Sequence, residues 1–206
     1  MSAEEFARQI DVSRETIAKL DSYAALLRKW NPAINLVAKS TISELWTRHF
    51  LDSAQLLELM EPNATRWVDL GSGGGFPGLV VAVLAQELAP NLLVTCIESD
   101  GRKAAFLSTV VRELGLSAQV LSDRIEDISP LNADIVSARA LAPLPDLLGL
   151  AHRHMAQNGI ALLLKGEKAG AELKEALDTY RFTVTEYPSK TAPNAAVLSI
   201  GELRRV

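Results

Sequence analysis

Residues 69–78 read DLGSGGGFPG, five glycines and a serine between two apolar runs. Ordering glycine is costly, so such density in a soluble chain points to a ligand. Gly71, Gly73 and Gly75 can take backbone angles closed to other residues, and their missing side chains let a ligand approach the main chain. Pro77 suits the first position of a following helix, whose free N–H groups face such a ligand. Gly73, Gly75 and Gly78 satisfy G-x-G-x-x-G, with Glu98 twenty residues beyond Gly78, which is the dinucleotide fingerprint. The same glycines also read D-x-G-x-G-x-G straight after an Asp-containing strand, a modest preference for S-adenosylmethionine. Glu98 suits a ribose diol in either case, because a carboxylate accepts two hydroxyl hydrogen bonds. An NAD-dependent oxidoreductase therefore stays open at this level, as does a tight turn with no ligand.

Other reactive sets are missing. No Ser-His-Asp arrangement, Cys nucleophile or His/Cys metal cluster is visible. Cys96, the one cysteine, lies in the apolar run LLVTCI and reads as a small core residue. Of the three histidines, His152 and His154 are two apart and share no helix face. Both read as surface residues.

The elements that must carry these groups change character near residue 66. Before it, a helix capped by Ser13 puts Ile17, Leu20, Ala24, Leu27 and Trp30 on one stripe and ends at Asn31-Pro32. A second helix opens with the capping-box spacing TISE at 41–44 and closes at Pro62. After it, seven strand-like runs (67–70, 92–97, 118–121, 133–138, 160–165, 181–187 and 195–201) alternate with helical stretches. That alternation predicts a mostly parallel sheet covered on both faces. The closing pair, joined by PSKTAPN, predicts an antiparallel edge. The glycines fall at the carboxyl end of the first strand, where open α/β sheets bind ligands.

Composition agrees with a globular protein that buries a sizeable core. The 206 residues are 48% hydrophobic and 22% charged, with net charge −4. That charge argues against a broad nucleic-acid face but permits a local basic patch. The lone cysteine fits a reducing compartment. The charged N-terminus lacks a signal-peptide core, and the longest apolar run, GLVVAVLA at 78–85, is too short to span a bilayer. A cytoplasmic protein with no membrane contact is expected.

The run D-x-G-S-G-x-G-F-P-G resembles motif I of the RsmG (GidB) family of bacterial 16S ribosomal RNA guanine-N7 methyltransferases. KWNPAINL (29–36), RHFLDS (48–53), ESDGRKAAFL (98–107), RIE (124–126), SARA (137–140) and LKG (164–166) are similar to further family signatures in the same order. Two departures keep charge: Glu98 where the family often has Asp, and Arg102-Lys103 where it often has Lys-Arg. In a third, Ala138 intervenes between Ser137 and Arg139.

The resemblance implies an α/β, class I methyltransferase Rossmann-like fold: a mostly parallel seven-stranded sheet with one antiparallel edge strand, preceded by N-terminal helices. A helical region, 1–60, would pack on a catalytic domain, 61–206. S-adenosylmethionine would be the methyl donor, with no metal. Gly71, Gly73 and Phe76 would line its methionine end, Glu98 would hold the ribose, and Ile125 and Glu126 would flank the adenine. Arg139 would sit where cofactor and target base meet. The partner would be 16S ribosomal RNA or the small subunit, and nothing demands more than a monomer. Arg139, Lys165, Arg48 and His49 are the implied substrate contacts, with Lys168 and the Arg28-Lys29 pair as further cations.

Guanine N7 carries a lone pair and no proton. Methyl transfer to it requires alignment rather than a general base, so no catalytic residue is required. Asp52 and Asp69 are both open as the carboxylate that steadies the cationic product. A non-catalytic RNA-binding module on the same scaffold is the remaining rival.

Overall fold

A computed structural model describes all 206 residues. Helices α1 (Ala3–Gln9) and α2 (Arg14–Ile34) lead into a run of mixed helical turns. That run comprises a 3-10 turn (Lys39–Glu44), a π turn (Trp46–Leu51), α3 (Asp52–Ala54) and a second 3-10 turn (Gln55–Leu59). Then follow β1 (Arg66–Leu70), α4 (Gly78–Leu88), β2 (Leu93–Ile97), α5 (Gly101–Leu114), β3 (Ala118–Leu121) and β4 (Ala133–Arg139). The chain closes with α6 (Leu144–His154), β5 (Met155–Lys165), α7 (Ala169–Ala176), β6 (Tyr180–Pro188) and β7 (Ala196–Arg205).

The seven strands form one sheet in the order β3-β2-β1-β4-β5-β7-β6. Pairings from β3 to β5 are parallel, and β7 runs antiparallel between β5 and β6. The antiparallel pairing thus falls at the predicted edge. Alternate residues feed two cores. Trp67, Val94, Cys96 and Ile135 join the core under α2, α4 and α5, whereas Val68, Leu70, Ile97 and Val136 join the one under α6 and α7. Burial on both faces is why these strands read as apolar runs rather than alternating ones.

Two local expectations fail for identifiable reasons. Pro32 does not end α2, which runs on to Ile34 and stops at Asn35 in the left-handed region (φ 49°). Asn31 makes this possible, its side-chain Oδ1 accepting from Val37 N at 2.8 Å just past the helix end. The 41–44 capping box does not form. Thr41 instead donates its hydroxyl to Ala38 O at 2.8 Å, and Glu44 reaches Arg48 at 3.3 Å.

The early helices share the first core with the sheet. Tyr23 on α2 packs against Phe50 and stacks on Phe76 of the glycine loop, with ring centroids 5.4 Å and 5.6 Å apart. His49 lies 4.9 Å from the same Phe76 ring. Apolar burial thereby fixes the π turn against the loop after β1, which brings residues 48–52 to the carboxyl end of the sheet.

Candidate functional site

The loop between β1 and α4 is held from below, behind and beside. Gly71 and Gly75 adopt φ of 63° and 93°, the left-handed conformations that glycine takes without strain. At Gly75 a Cβ would also stand 2.8 Å from Leu79 Cδ1. The Tyr23 hydroxyl donates to Gly74 O. The Glu98 carboxylate, at the end of β2, accepts from Gly73 N and from Asp100 N, each at 2.8 Å.

Asp69 works beneath the loop. It is fully buried, accepting from Ser137 Oγ at 2.7 Å and from Gly78 N at 3.1 Å. Burial pushes its carboxyl up to about 6, against the pull of these hydrogen bonds and of Arg139. The expectation that the α4 amides face a ligand is corrected here. Pro77 precedes the helix rather than opening it, and the first helical N–H, of Gly78, points to Asp69. Ser137, to which the sequence assigned nothing, links Asp69 to Trp67, whose Nε1 donates to Ser137 Oγ at 2.8 Å.

Above the loop opens a cavity of about 990 Å³. All seven residues named for the cofactor line it: Gly71, Gly73, Phe76, Glu98, Ile125, Glu126 and Arg139. Its size, its ribose-type acid and the bare glycine edge suit an adenosyl ligand. Leu36, at the end of KWNPAINL, and Leu141, from a loop without a motif-level signal, also contribute.

Behind its far wall stands His154, and here too an expectation is overturned. His154 is fully buried, not on the surface, and its Nε2 lies 3.0 Å from Ile125 O. A carbonyl only accepts, so Nε2 carries the hydrogen and Nδ1 holds a lone pair that has no partner. Burial lowers the pKa of this ring.

A second cleft, of about 970 Å³, shares its Arg139–Ala142 wall with the first. Arg139 is the partition. Its guanidinium sits 5.0 Å from the Phe76 ring centroid, a cation–π contact. It donates to Arg48 O at 3.0 Å, lies 3.4 Å from Asp52 Oδ2, and donates to His49 Nδ1 at 2.9 Å. His49 must be neutral to accept, with its hydrogen on Nε2 facing Thr41 Oγ1 at 2.8 Å. Burial first, then Arg139 and Arg48, push the His49 pKa down to about 3.

The expected substrate residues converge on this second cleft, but not all with free charge. Arg48, His49, Arg139 and Lys165 line it. Lys165 Nζ is tied to Glu172 at 2.6 Å and donates to Ala142 O at 2.9 Å, so it braces the partition loop. Arg48 is exposed and paired with Glu44. Arg28, Lys29 and Lys168 are exposed and line neither cleft.

The turn between β6 and β7 forms the far rim. Thr191 Oγ1 donates to Asp52 Oδ1 at 2.6 Å, and Lys190 N donates to Gln55 Oε1 at 3.0 Å. Nothing in PSKTAPN announces that role, because its partners lie 135–139 residues away. No group of three or more His, Cys, Asp or Glu side chains converges as metal ligands. No helix is long and apolar enough to cross a membrane.

A seven-stranded sheet with a glycine loop after its first strand and an acid ending its second is the fold of S-adenosylmethionine-dependent methyltransferases. A putative O-methyltransferase from Klebsiella pneumoniae superposes with a TM-score of 0.61 at 14% identity, over 97% of this chain and 95% of that one. The TYW2 protein of M. jannaschii, solved in complex with AdoMet, does so at 0.55 and 17% identity, over 82% and 78%. The sequence then narrows the class. The family model for rRNA small subunit methyltransferase G (GidB) matches residues 16–196. The Ribosomal RNA small subunit methyltransferase G of Cereibacter sphaeroides is 48% identical over 206 residues, the whole of both chains. That of Rhodospirillum centenum is 51% identical over 201 residues, 98% of this chain and 91% of its own. The chain belongs to the rRNA small subunit methyltransferase G family, and the nicotinamide reading of G-x-G-x-x-G is set aside.

Proposed function

We propose that the protein transfers the methyl group of S-adenosylmethionine to N7 of a guanine in 16S ribosomal RNA. The observation that carries this reading is the single shared wall. Arg139 is the partition between a cavity suited to an adenosyl ligand and a cleft open to a nucleobase. When bound, the cofactor supplies an electrophilic methyl on a sulfonium. Gly71, Gly73 and Phe76 hold its amino-acid end, Glu98 its ribose, and Ile125 and Glu126 its adenine. The helical region 1–60, packed on a methyltransferase domain 61–206, supplies Arg48 to the RNA side and His49 to hold Arg139, while Lys165 braces the Ala142 loop across the cleft.

The target N7 is already a nucleophile, so these residues need only align it with the methyl and the sulfur. Alignment alone supplies a large share of such a barrier. No step asks for a general base or a metal. Arg139 has N–H groups left over for guanine O6, which a planar fork of donors reads well. The protein would act in the cytoplasm, as a monomer, on the RNA or a small-subunit particle.

The test is methyl transfer from labelled S-adenosylmethionine to small-subunit RNA, naked or assembled, that lacks its native modifications. Nucleoside mass spectrometry identifies the labelled base. Label in 7-methylguanosine is expected, and label in any other nucleoside, or none, would overturn the reading.

A further inference from the structure

We propose that Asp52 reads the N1–H of the target guanine beside Arg139, and steadies the positive charge that the base acquires. The inference rests on the guanine-N7 reading above and asks which carboxylate serves it. Asp69 is sealed beneath the loop with its oxygens taken by Ser137 and Gly78. Glu98 lines the first cavity and not the second, with its carboxylate turned to Gly73 N and Asp100 N. Glu172 is held by Lys165 and by Leu144 N. Glu44, on the same cleft, is exposed and paired with Arg48 at 3.3 Å. Asp52 remains, half-enclosed in the cleft wall beside Arg139.

Its geometry is that of a placed but unsaturated group. Oδ1 is anchored twice, by Thr191 Oγ1 at 2.6 Å and by Gln55 Nε2 at 3.0 Å. Oδ2 has only Arg139 Nη1, at 3.4 Å, well beyond the roughly 2.7–2.9 Å of a strong charged hydrogen bond. The pair is neither buried nor free, with side-chain exposures of 18% for Arg139 and 15% for Asp52. A donor and an acceptor therefore stand side by side at the cleft wall. Guanine presents the complement, the O6 acceptor next to the N1–H donor. Adenine presents the reverse, an amino donor next to a bare N1, and would leave both protein groups opposed by like partners.

The same contact strengthens as the reaction proceeds. The N7 lone pair forms the N–CH3 bond while the S–CH3 bond breaks, its electron pair returning to sulfur. No proton leaves. The purine becomes a cation and its N1–H more acidic, so a carboxylate there binds the transition state more tightly than the ground state.

The experiment compares wild type and Asp52→Asn on small-subunit RNA carrying either guanine or N1-methylguanine at the mapped target position. Each change alone is expected to lower kcat/KM by about 10- to 100-fold, the scale of one charged hydrogen bond. Both together should cost no more than either alone. Affinity of Asp52→Asn for S-adenosylhomocysteine should be unchanged, which shows an intact fold. Thr191→Val, which removes one anchor of Oδ1, should lose about tenfold on guanine. Undiminished wild-type transfer to N1-methylguanine, or fully multiplicative losses, would overturn the role of Asp52 while leaving the guanine-N7 reading standing. Wild type that places no 7-methylguanosine on unmodified guanine removes that reading, and the Asp52 role with it.

Discussion

Glu98 spans two turns of backbone with one carboxylate, accepting from Gly73 N and Asp100 N. Glu98→Gln keeps the shape but replaces one acceptor oxygen with a donor, stranding an amide at about 1–3 kcal/mol. We expect S-adenosylhomocysteine to bind about 10- to 100-fold more weakly, as read by calorimetry. Asp69 makes a prediction in pH. Its carboxyl titrates at about 6 when folded, against an ordinary 3.8. Between those values the native state binds more protons than the unfolded chain, so stability falls as pH rises through that window and levels off above it. The fall is on the order of 3 kcal/mol. Histidines with lowered pKa values act in the opposite direction over the same range, so the slope is read as the difference in urea-unfolding stability between wild type and Asp69→Asn across the window. An unchanged slope in the variant would assign the effect elsewhere.

At the scale of elements, the last turn of α6 acts as a clasp on the segment after β3. Arg153 donates twice to Ile128 O, at 3.2 Å and 3.0 Å, and His154 bonds Ile125 O. His154→Leu removes the donor behind the Ile125 wall, whereas His154→Gln keeps one within reach. The leucine variant should bind S-adenosylhomocysteine about tenfold more weakly and the glutamine variant near wild type, because one buried carbonyl is left unpaired only in the first. The sign in pH opposes that of Asp69. The lowered His154 pKa means its contribution is complete above the ordinary 6.5 and is lost as pH falls toward the folded value. Protonation would place a hydrogen on Nδ1 with no acceptor nearby.

At the scale of the whole molecule, a chain of net charge −4 must hold RNA through local cations rather than its overall field. Affinity for small-subunit RNA should therefore fall steeply with salt. Each cation that neutralises a phosphate contributes about 0.7 to the slope on single strands. Arg48→Ala should lower that slope by about one such contact. Lys165→Ala should leave the slope near its wild-type value and act on the Ala142 loop instead, because its ammonium is already spent on Glu172. Equal slopes for wild type and Arg48→Ala would remove Arg48 from the ionic footprint.

Much of this was legible in the residues because it is local. The glycine conformations, the acid ending β2, the alternation of strand and helix and the antiparallel edge all follow from composition and spacing within about twenty residues. Where the reading failed, a competing contact outbid the rule applied, within nine residues in two cases and across the fold in the third. Thr41 bonds Ala38 and His49 instead of capping its helix, Pro32 is overridden by the Asn31 contact to Val37, and His154 is drawn inward by Ile125. The sequence by itself determined the fold class, the family and seven residues that line the first cavity, since those residues sit at strand ends that the parallel sheet must bring to one edge. Only the tertiary structure decided that Asp69 lies beneath the loop while Asp52 faces the cleft, and that Ser137 and Thr191 hold them there. Those choices depend on contacts between residues 68 and 139 positions apart, for which no short spacing carries a signal.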